Sequence, residues 1–317
     1  MDASSVSPVA IIGAAGAIGH AVAGELHHRH VPHRVIGRHR PRLEAAFGTT
    51  AEIVTADISD LGAAQRALSG TAAAIYCVGL PYPEHHRHPG LFRTVVGAAQ
   101  REGAGRLALV SSVYPYGIPQ TPQVSETHPR APHTKKGQYR KAQEDVAMAA
   151  HGQQGLRTLV LRLPDFYGPH AELSLADQVF AAVMKGATAN WLGPVDLPHE
   201  FVFTPDVGPV LADLVTREDS FGQAWNLGGA GTITGQTFIA AAYQARGLRP
   251  RYRTIGPTLL RVGGWVSPLL AELREMYYLQ TTDTKLSRFL GALRKTPYPE
   301  GIRATVAWYA GRQSRVA

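Results

Sequence analysis

Short apolar runs alternate with longer stretches of helical periodicity along the first half of the chain. The apolar runs predict six strands, at Val9–Ile12, Arg34–Ile36, Glu52–Thr55, Ala73–Val78, Arg106–Ser111 and Thr158–Leu163. The stretches between them predict helices at Ala17–His30, Arg42–Phe47, Leu61–Leu68, Gly90–Glu102 and Lys136–His151. Strands that alternate with helices form parallel sheets covered on both faces, so the pattern predicts a doubly wound α/β fold.

The pattern loosens in the second half of the chain. From about Pro164 onward, turns rich in proline and glycine separate short elements. We therefore expect one domain over residues 1–163 and a smaller α/β lobe over 164–317, with some segments of the second half returning to the first sheet.

Composition narrows the class of protein. The chain has 317 residues, a formal net charge of +8 and one cysteine, Cys77, which excludes an internal disulfide and suits a reducing compartment such as the cytoplasm. The basic residues are dispersed and accompany no nucleic-acid-binding motif, so we expect no nucleic acid as partner. No apolar stretch reaches the roughly 18 residues that a membrane span needs, so we expect no membrane either.

A glycine-rich loop follows the first strand directly. Residues 13–19 read GAAGAIG, and a helical pattern begins at once. Gly13 permits a tight turn, Gly16 lets backbone approach a pyrophosphate, and Gly19 lets the helix pack closely on the strand. The loop therefore predicts a dinucleotide cofactor, contacted by Gly13, Ala15, Gly16, Ala17, Ile18 and Gly19.

The end of the second strand indicates which dinucleotide binds. Sites selective for NAD usually offer an acid there to the ribose hydroxyls, whereas this chain has Arg38. Guanidinium matches phosphate oxygens bidentately, so Arg38, helped by Arg40 or Arg42, predicts NADP(H). Further cofactor contacts are expected after the third and fourth strands, at Asp57, Ile58, Val78 and Gly79. Capping of the next helix by Asp57 or Ser59 is an equal alternative.

Six further segments resemble the extended short-chain dehydrogenase/reductases, the NAD-dependent epimerase/dehydratase family. They are LALVSSVYPYG (107–117), LVLRLPDFYGP (159–169), FVFTPDVGPVLADLV (201–215), WNLGGAGTITGQTFIAAA (225–242), DTK (283–285) and EGIRATVAWY (300–309). Together with Arg38, the resemblance makes residues 1–163 the expected NADP-binding Rossmann domain, and 164–317 are expected mainly to bind a small-molecule substrate. The resemblance also implies a homodimer.

The chemistry of that family needs three side chains. A Tyr passes a proton to or from a hydroxyl, a Lys one helical turn later lowers the pKa of that Tyr, and a Ser orients the carbonyl. The resemblance places the Ser at Ser112. The helix that begins KKGQYRKAQED contains no Tyr-x-x-x-Lys, because Tyr139 is followed four residues later by Gln143.

Two registers of that helix stay open. In one, Gly137 takes the Tyr position and Lys141 takes the Lys position, where it would hold the nicotinamide ribose. The phenol would then come from a neighbouring loop, at Tyr82, Tyr114 or Tyr116. In the other register, Tyr139 acts without a cationic neighbour. The catalytic candidates are Ser112, Tyr116, Tyr139 and Lys141.

Residues that follow strands are expected to line the substrate pocket, because the carboxyl ends of strands gather ligands in α/β sheets. These residues are Leu80, Tyr82, Tyr114, Asp165, Phe166 and Tyr167. The histidine-rich segment 83–88 has no spacing that fixes three ligands around one ion, so we expect no metal.

Three functions fit these features. Arg38 favours NADPH-dependent reduction of a small carbonyl or imine, in which Ser112 polarises the oxygen and a Tyr or water gives the proton. One alternative is an epimerase that holds NAD(P) tightly and acts on a sugar-like or hydroxylated substrate. The missing Tyr-Lys pair favours a third, a non-catalytic protein that senses NADP or binds a partner.

Overall fold

The computed structural model describes residues 7–172, 174, 176–255 and 280–316. Its first six strands are β1 (Val9–Ile12), β2 (His33–Gly37), β3 (Glu52–Thr55), β4 (Ala73–Tyr76), β5 (Arg106–Ser112) and β6 (Arg157–Leu163). The helices between them are α1 (Ala17–His28), α2 (Arg40–Phe47), α3 (Leu61–Leu68), α4 (His88–Glu102) and α5 (Lys135–Ala150). Each of these elements lies within about two residues of the predicted bounds, which is the usual uncertainty of a helix or strand end.

The second half contains shorter elements. Its strands are β7 (Asp165–Tyr167), β8 (Ala189–Leu192), β9 (Pro198–Phe203), β10 (Ala224–Asn226), β11 (Thr232–Thr234) and β12 (Tyr252–Ile255). Its helices are α6 (Asp177–Met184), α7 (Val207–Thr216), α8 (Gly235–Gln244), α9 (Thr284–Leu290) and α10 (Tyr298–Val316). Short helical turns at Tyr82–Arg87 and Tyr114–Tyr116 follow β4 and β5.

Seven strands form the main sheet, in the order β10-β6-β5-β4-β1-β2-β3. Strand β1 pairs in parallel with both β2 and β4, and β4 pairs in parallel with β5. The chain therefore runs outward from β1 to β3 and then crosses back to β4 on the other side of β1. This reversal is the switch point of a doubly wound sheet, as predicted, and it opens a crevice beyond the carboxyl ends of β1 and β4.

The chain forms two compact units. Over the described residues, unit 1 comprises 7–112, 138–162 and 207–225, and it holds the seven-stranded sheet. Unit 2 draws on 113–137, 163–206, 226–255 and 280–316. The chain first leaves unit 1 after Ser112, ahead of the predicted boundary at residue 163, and it returns there at Gln138 and Val207.

The core of unit 1 follows from the apolar strands. Ile11, Ile75 and Leu109 are fully buried on adjacent strands of the sheet, and Tyr76 packs edge-on against Phe92 of α4 with ring centroids 5.0 Å apart. Burial of aliphatic side chains of this size stabilises a fold by about 1.5–3 kcal/mol each.

Unit 2 is built on a small mixed sheet. Strand β9 lies between β7, which is parallel to it, and β11, which is antiparallel. Aromatic rings fill the space beside this sheet, and they belong to Tyr167, Phe180, Phe201, Phe238 and Tyr298. The register of β7 on β9 places Asp165 opposite Phe201 and so sets the position of the Asp165 carboxylate in unit 2.

No helix in the described ranges is both long and apolar enough to cross a membrane.

Candidate functional site

The glycine loop ties together the carboxyl ends of three strands. The Gly13 N–H donates to the Ile36 carbonyl of β2 at 3.0 Å. Gly13 has a φ of +84°, and a Cβ there would lie 2.9 Å from the Val78 Cα that follows β4. A Cβ on Gly19 would overlap the Ala14 carbonyl. Glycine is therefore required at both positions, by conformation at the first and by close packing at both.

Helix α1 begins immediately after this loop. Its N-cap is Gly16, with an extended backbone and no side-chain cap, and its first turn carries no acidic residue. The first N–H groups of a helix have no partner within the helix, and the helix dipole adds partial positive charge at this end. A pyrophosphate fits such a terminus, and Ala17 and Ile18 are the residues whose N–H groups would face it.

Three arginines follow β2, and they make different contacts. Arg40 is paired with Glu44 at 2.7 Å, whereas Arg42 donates to the Ala15 carbonyl of the glycine loop at 3.2 Å. Arg38 is exposed at the end of β2. It is one of the cations whose charge lowers the pKa of Asp57, after the larger effect of two hydrogen bonds from Ser59. Arg38 and Arg42 thus bring positive charge to the edge of the loop.

Asp57 accepts the Ser59 N–H at 2.9 Å and the Ser59 hydroxyl at 2.8 Å. It holds the turn before α3, and the residue as a whole is exposed. Helix α3 is capped by Asp60, which accepts the Ala63 N–H at 2.6 Å. The alternative that Asp57 or Ser59 caps this helix is therefore wrong, because the N-cap lies one residue beyond Ser59 and three residues beyond Asp57.

Two adjacent serines at the end of β5 have different environments. The Ser111 hydroxyl donates to Glu144 at 2.6 Å, and Glu144 pairs with Arg162 at 2.8 Å inside the protein. The Ser112 Oγ is buried and has no hydrogen-bond partner among the described residues. An unsatisfied buried hydroxyl costs about 1–3 kcal/mol, so its presence at Ser112 calls for an explanation, and a functional role is one.

Helix α5 has no room for a side chain at the position where the first register places the Tyr. A Cβ on Gly137 would lie 2.7 Å from both the Tyr114 carbonyl oxygen and the Pro132 Cβ. Tyr139 packs against His86, with ring centroids 6.4 Å apart. Lys141 pairs with Asp145 at 2.8 Å, and its side chain is 36% exposed.

The three tyrosines proposed as substitutes lie in distinct environments. Tyr116 is fully buried, and its hydroxyl donates to Asn226 at 2.8 Å, so it acts as a core residue of unit 2. The ring of Tyr82 packs against the ring of His85 in the turn after β4. Nε2 of the same histidine is hydrogen-bonded to the carbonyl of Leu80, a buried residue.

The Tyr114 hydroxyl donates to Asp165 at 2.9 Å, and the Lys136 ammonium lies 3.7 Å from the centre of the Tyr114 ring.

Asp165 is the centre of a polar cluster. Its second oxygen lies 2.9 Å from Nε2 of His199, a residue of β9 that is only 6% exposed. Burial by itself raises the pKa of Asp165. The hydrogen bond and charge of His199, the charge of Lys136 and the Tyr114 hydroxyl outweigh burial and hold that pKa below its usual value. Asp165 is therefore an anion at neutral pH.

The other candidates after β6 have less polar surroundings. Phe166 is half-buried and pairs with Val202 across β7 and β9. Tyr167 is buried among Phe203, Phe238 and Tyr298, and burial raises its pKa well above the usual value. Tyr167 therefore contributes to the core of unit 2.

The histidines of the turn after β4 bond to backbone. His85 Nε2 contacts the Leu80 carbonyl and His86 Nδ1 contacts the Pro83 carbonyl, each at 3.1 Å. Within the described ranges, no three metal-ligating side chains come together. Burial raises the pKa of Cys77 to about 12, so its thiol stays protonated.

A β1–loop–α1 unit of this geometry at the switch point of a parallel sheet defines a Rossmann-type protein. The chain belongs to the NAD dependent epimerase/dehydratase family, whose model matches residues 9–228. These two statements confirm the predicted fold and the resemblance drawn from the sequence.

Known proteins agree with that assignment. A dTDP-glucose 4,6-dehydratase of Streptomyces griseus is 24% identical over 225 residues, and the match covers 70% of this chain and 64% of that relative. The dTDP-glucose 4,6-dehydratase DesIV of Streptomyces venezuelae, in complex with NAD, has a TM-score of 0.83 at 20% identity over 97% of this chain and 98% of that one. A UDP-glucose 4-epimerase of Thermus thermophilus, also with NAD, has a TM-score of 0.81 at 20% identity over 96% and 99%.

Two polar residues of the cluster around Asp165 are absent from the candidates chosen by sequence. His199 lies thirty-four positions beyond Asp165, and only the pairing of β7 with β9 brings the two together. One signal was present, since the strand PHEFVF carries two titratable side chains in an otherwise apolar run. Lys136 was expected only as part of helix α5.

Proposed function

We propose that the protein binds a nicotinamide dinucleotide on the glycine loop and transfers hydride at a hydroxyl-bearing carbon of a sugar-like substrate, returning the hydride within one catalytic cycle. Membership of the epimerase/dehydratase family supports this class of reaction. The observation that carries the proposal is Ser112, whose buried hydroxyl has no partner among the described residues although Ser111 beside it is fully engaged.

The proposed cofactor is NADP(H). The related structures named above contain NAD. This chain, however, places Arg38 where NAD-selective sites usually carry an acid, and Arg42 contacts the loop itself. Guanidinium groups favour an additional phosphate over a ribose hydroxyl. Lys141 would hold the nicotinamide ribose after exchanging its exposed pairing with Asp145.

When bound, the nicotinamide accepts and returns a hydride at C4. The protein must hold the substrate oxygen while that carbon alternates between alcohol and carbonyl. The Ser112 hydroxyl is suited to donate a hydrogen bond to this oxygen, because a donor aimed at developing negative charge lowers the barrier of hydride transfer.

Net reduction of a small carbonyl or imine by NADPH is the second candidate, and Arg38 is the observation that favours it. The two reactions differ in cofactor turnover. A reductase consumes NADPH in proportion to product, whereas an epimerase leaves the absorbance of the reduced nicotinamide unchanged after many turnovers. Assays with nucleotide sugars and with simple carbonyls, each with NADP(H), separate them.

A pair of substitutions tests the role of Ser112. We expect Ser112→Ala to reduce turnover on the order of 100-fold with unchanged dinucleotide affinity, and with stability unchanged or raised by up to about 1–3 kcal/mol, since the hydroxyl has no internal partner to lose. Ser111→Ala is the matched control, and it should lower stability by about 1–2 kcal/mol by breaking the bond to Glu144.

Three results would contradict the proposal. A purified protein that binds neither NADP nor NAD would remove its basis, and much tighter binding of NAD would overturn the choice of cofactor. Full activity of Ser112→Ala would remove the assigned role of that residue. The alternative that the protein is not a catalyst is favoured by the closed space at Gly137. Measurable turnover that is abolished by Ser112→Ala would exclude this alternative.

The homodimer remains a prediction from the family resemblance, and sedimentation of the purified protein tests it.

A further inference from the structure

We infer that Tyr114, Asp165 and His199 form a proton relay that takes the place of the Tyr-x-x-x-Lys pair. The inference rests on the proposed hydride transfer, which requires a group that removes and returns the hydroxyl proton of the substrate. It names the residues that supply this group, and one of them, His199, belongs to none of the sequence motifs.

The usual position of the phenol is closed by the fold itself. At Gly137 the Tyr114 carbonyl and Pro132 lie so close that no side chain fits without moving backbone. Tyr139 and Lys141 are two residues apart on helix α5, so their side chains point in widely different directions. Neither register therefore gives a Tyr-Lys pair on this helix, and we place the phenol outside it.

Tyr114 has the position and the neighbours that the role requires. It follows Ser112 by two residues, so the two hydroxyl-bearing side chains belong to one short segment. The Lys136 ammonium lies over its ring at 3.7 Å, which supplies a positive charge beside the phenol, as the Lys of the usual pair does. Tyr116, by contrast, donates to Asn226 within the core.

Asp165 and His199 extend this phenol into a chain of hydrogen bonds. Tyr114 donates to one oxygen of Asp165 and His199 Nε2 contacts the other, both at 2.9 Å. Because Asp165 is ionised, Nε2 of His199 is the donor in that contact. The His199 ring packs edge-on against Phe201, with centroids 4.3 Å apart. Polar groups held in such an apolar setting interact more strongly than they do in water.

The relay moves one proton in each half of the reaction. With the hydride taken up by the bound dinucleotide, the substrate hydroxyl proton would pass to the Tyr114 oxygen and the Tyr114 proton would pass to Asp165. The carbonyl forms, and Asp165 becomes neutral while still accepting from His199. Reduction of the same carbon would reverse both proton transfers, so that the hydride and the proton would both be restored to the substrate.

Among the described residues, the charged and titratable groups that act on Asp165 are Tyr114, Lys136 and His199. His199 holds the carboxylate in place and stabilises its anion, so it is a positioning residue. Tyr114 is the catalytic residue that contacts the substrate oxygen.

Nuclear magnetic resonance of the full chain tests the coupling without any substrate. Tyrosine labelled at Cζ reports the state of the phenol, and Tyr114→Phe identifies the Tyr114 signal. We expect this signal to shift in His199→Gln, although His199 reaches Tyr114 only through Asp165, and to shift further in Asp165→Asn. A Tyr114 signal that is indifferent to both substitutions would overturn the relay.

Turnover tests the catalytic role, with dTDP-glucose and UDP-glucose among the nucleotide sugars assayed. We expect Tyr114→Phe to lower kcat on the order of 100-fold with unchanged affinity for NADP. His199→Gln should lower it about tenfold and move the acidic limb of the pH profile. Tyr252→Phe, which removes a phenol elsewhere in unit 2, is the control and should leave kcat unchanged.

The outcomes separate the relay from the function on which it rests. If the wild-type protein turns over and Tyr114→Phe keeps that activity, the relay is wrong and the proposed function stands. If the wild-type protein binds no dinucleotide, the proposed function fails, and the resonance experiment still decides whether the three residues are coupled.

Discussion

The glycine loop and the first turn of helix α5 both contain glycines where no side chain fits, yet the glycines of these two regions have opposite consequences. At Gly13 and Gly19 the missing side chain lets β1, the loop and α1 approach each other, which leaves the helix N-terminus open to a phosphate. At Gly137 the corresponding space is filled by the chain itself, through Tyr114 and Pro132. Gly137 thus removes the phenol from its usual position in the family. Because the space is filled, substituting a Tyr at this position would not simply restore it.

This comparison also separates what is shared with the family from what is particular to this protein. The loop follows the family pattern and needs only local geometry. The proposed acid–base group departs from that pattern and depends on Asp165 and His199, which lie on two paired strands of unit 2. Dinucleotide binding and proton transfer should therefore respond to different substitutions.

The largest effect is expected at Gly19. Gly19→Val forces side-chain atoms into the Ala14 carbonyl, so the loop and α1 must separate. Dinucleotide affinity should fall more than about 100-fold, equivalent to roughly 3 kcal/mol. Gly24→Val is the control on the same helix, since nothing lies within 4 Å of a Cβ there. Titration of NADP into both variants checks this, and equal affinities would refute the packing argument.

A smaller effect is expected at Gly137. Gly137→Ala should destabilise the protein by about 1–3 kcal/mol, because a methyl group meets backbone and a proline ring that cannot both move. Gly90→Ala changes the same position of helix α4, where the space is open, and should be neutral or stabilise by up to about 1 kcal/mol. Urea denaturation measures both. A neutral Gly137→Ala would reopen this position to a phenol.

Cofactor choice is expected to depend on Arg38. Arg38→Ala should weaken NADP binding about tenfold, or roughly 1.4 kcal/mol, and leave NAD binding nearly unchanged, because only NADP carries the additional phosphate. Arg40→Ala is the control, since Arg40 is already paired with Glu44. Calorimetric titration with both dinucleotides measures the ratio. Equal losses for NADP and NAD would show that Arg38 contributes only general positive charge.

The smallest effect is a change in the pH dependence of stability. The folded-state pKa of Asp165 lies below its unfolded value, so the ionised carboxylate stabilises the fold above the unfolded pKa of about 3.9. This contribution is lost as the pH falls through the folded pKa. Asp165→Asn should therefore cost about 1 kcal/mol at neutral pH and progressively less in acid.

Glu200 provides the opposite case in the same unit. Burial raises the pKa of Glu200, although the hydrogen bonds from Thr281 and Gly229 oppose this effect. The contribution of Glu200 to stability is therefore present below its unfolded pKa and is lost as the pH rises through its folded pKa.

Denaturation curves at neutral and acidic pH compare the wild type with Asp165→Asn. A loss of stability that grows in acid would show that Asp165 is not held as an anion in the folded state.

The local parts of the structure were predictable from sequence, and the parts that depend on distant pairing were not. Strands such as Val9–Ile12 and Glu52–Thr55 are predicted from short runs with apolar centres. The spacing of the glycines is enough to predict the glycine loop. The roles of the serines were also partly predictable, since the resemblance selects Ser112, but only the structure shows that Ser111 is committed to Glu144.

The tyrosines show where this reasoning ends. The sequence alone does not distinguish Tyr82, Tyr114 and Tyr116. Their different roles follow from partners far along the chain, which are Asp165 for Tyr114 and Asn226 for Tyr116. His199 was not predicted, because strand register sets its contact with Asp165 and no local spacing encodes that register.

The division of the chain into two units has a consequence for how the protein can be produced and dissected. The polypeptide passes between the units at five points, so neither unit corresponds to a continuous stretch of the gene. Strand β10 must pair with β6, some sixty residues earlier in the chain, to complete the main sheet. Pairings between such distant segments slow folding. A truncated fragment would therefore lack strands of its own sheet, so studies of either half need the intact polypeptide carrying point substitutions.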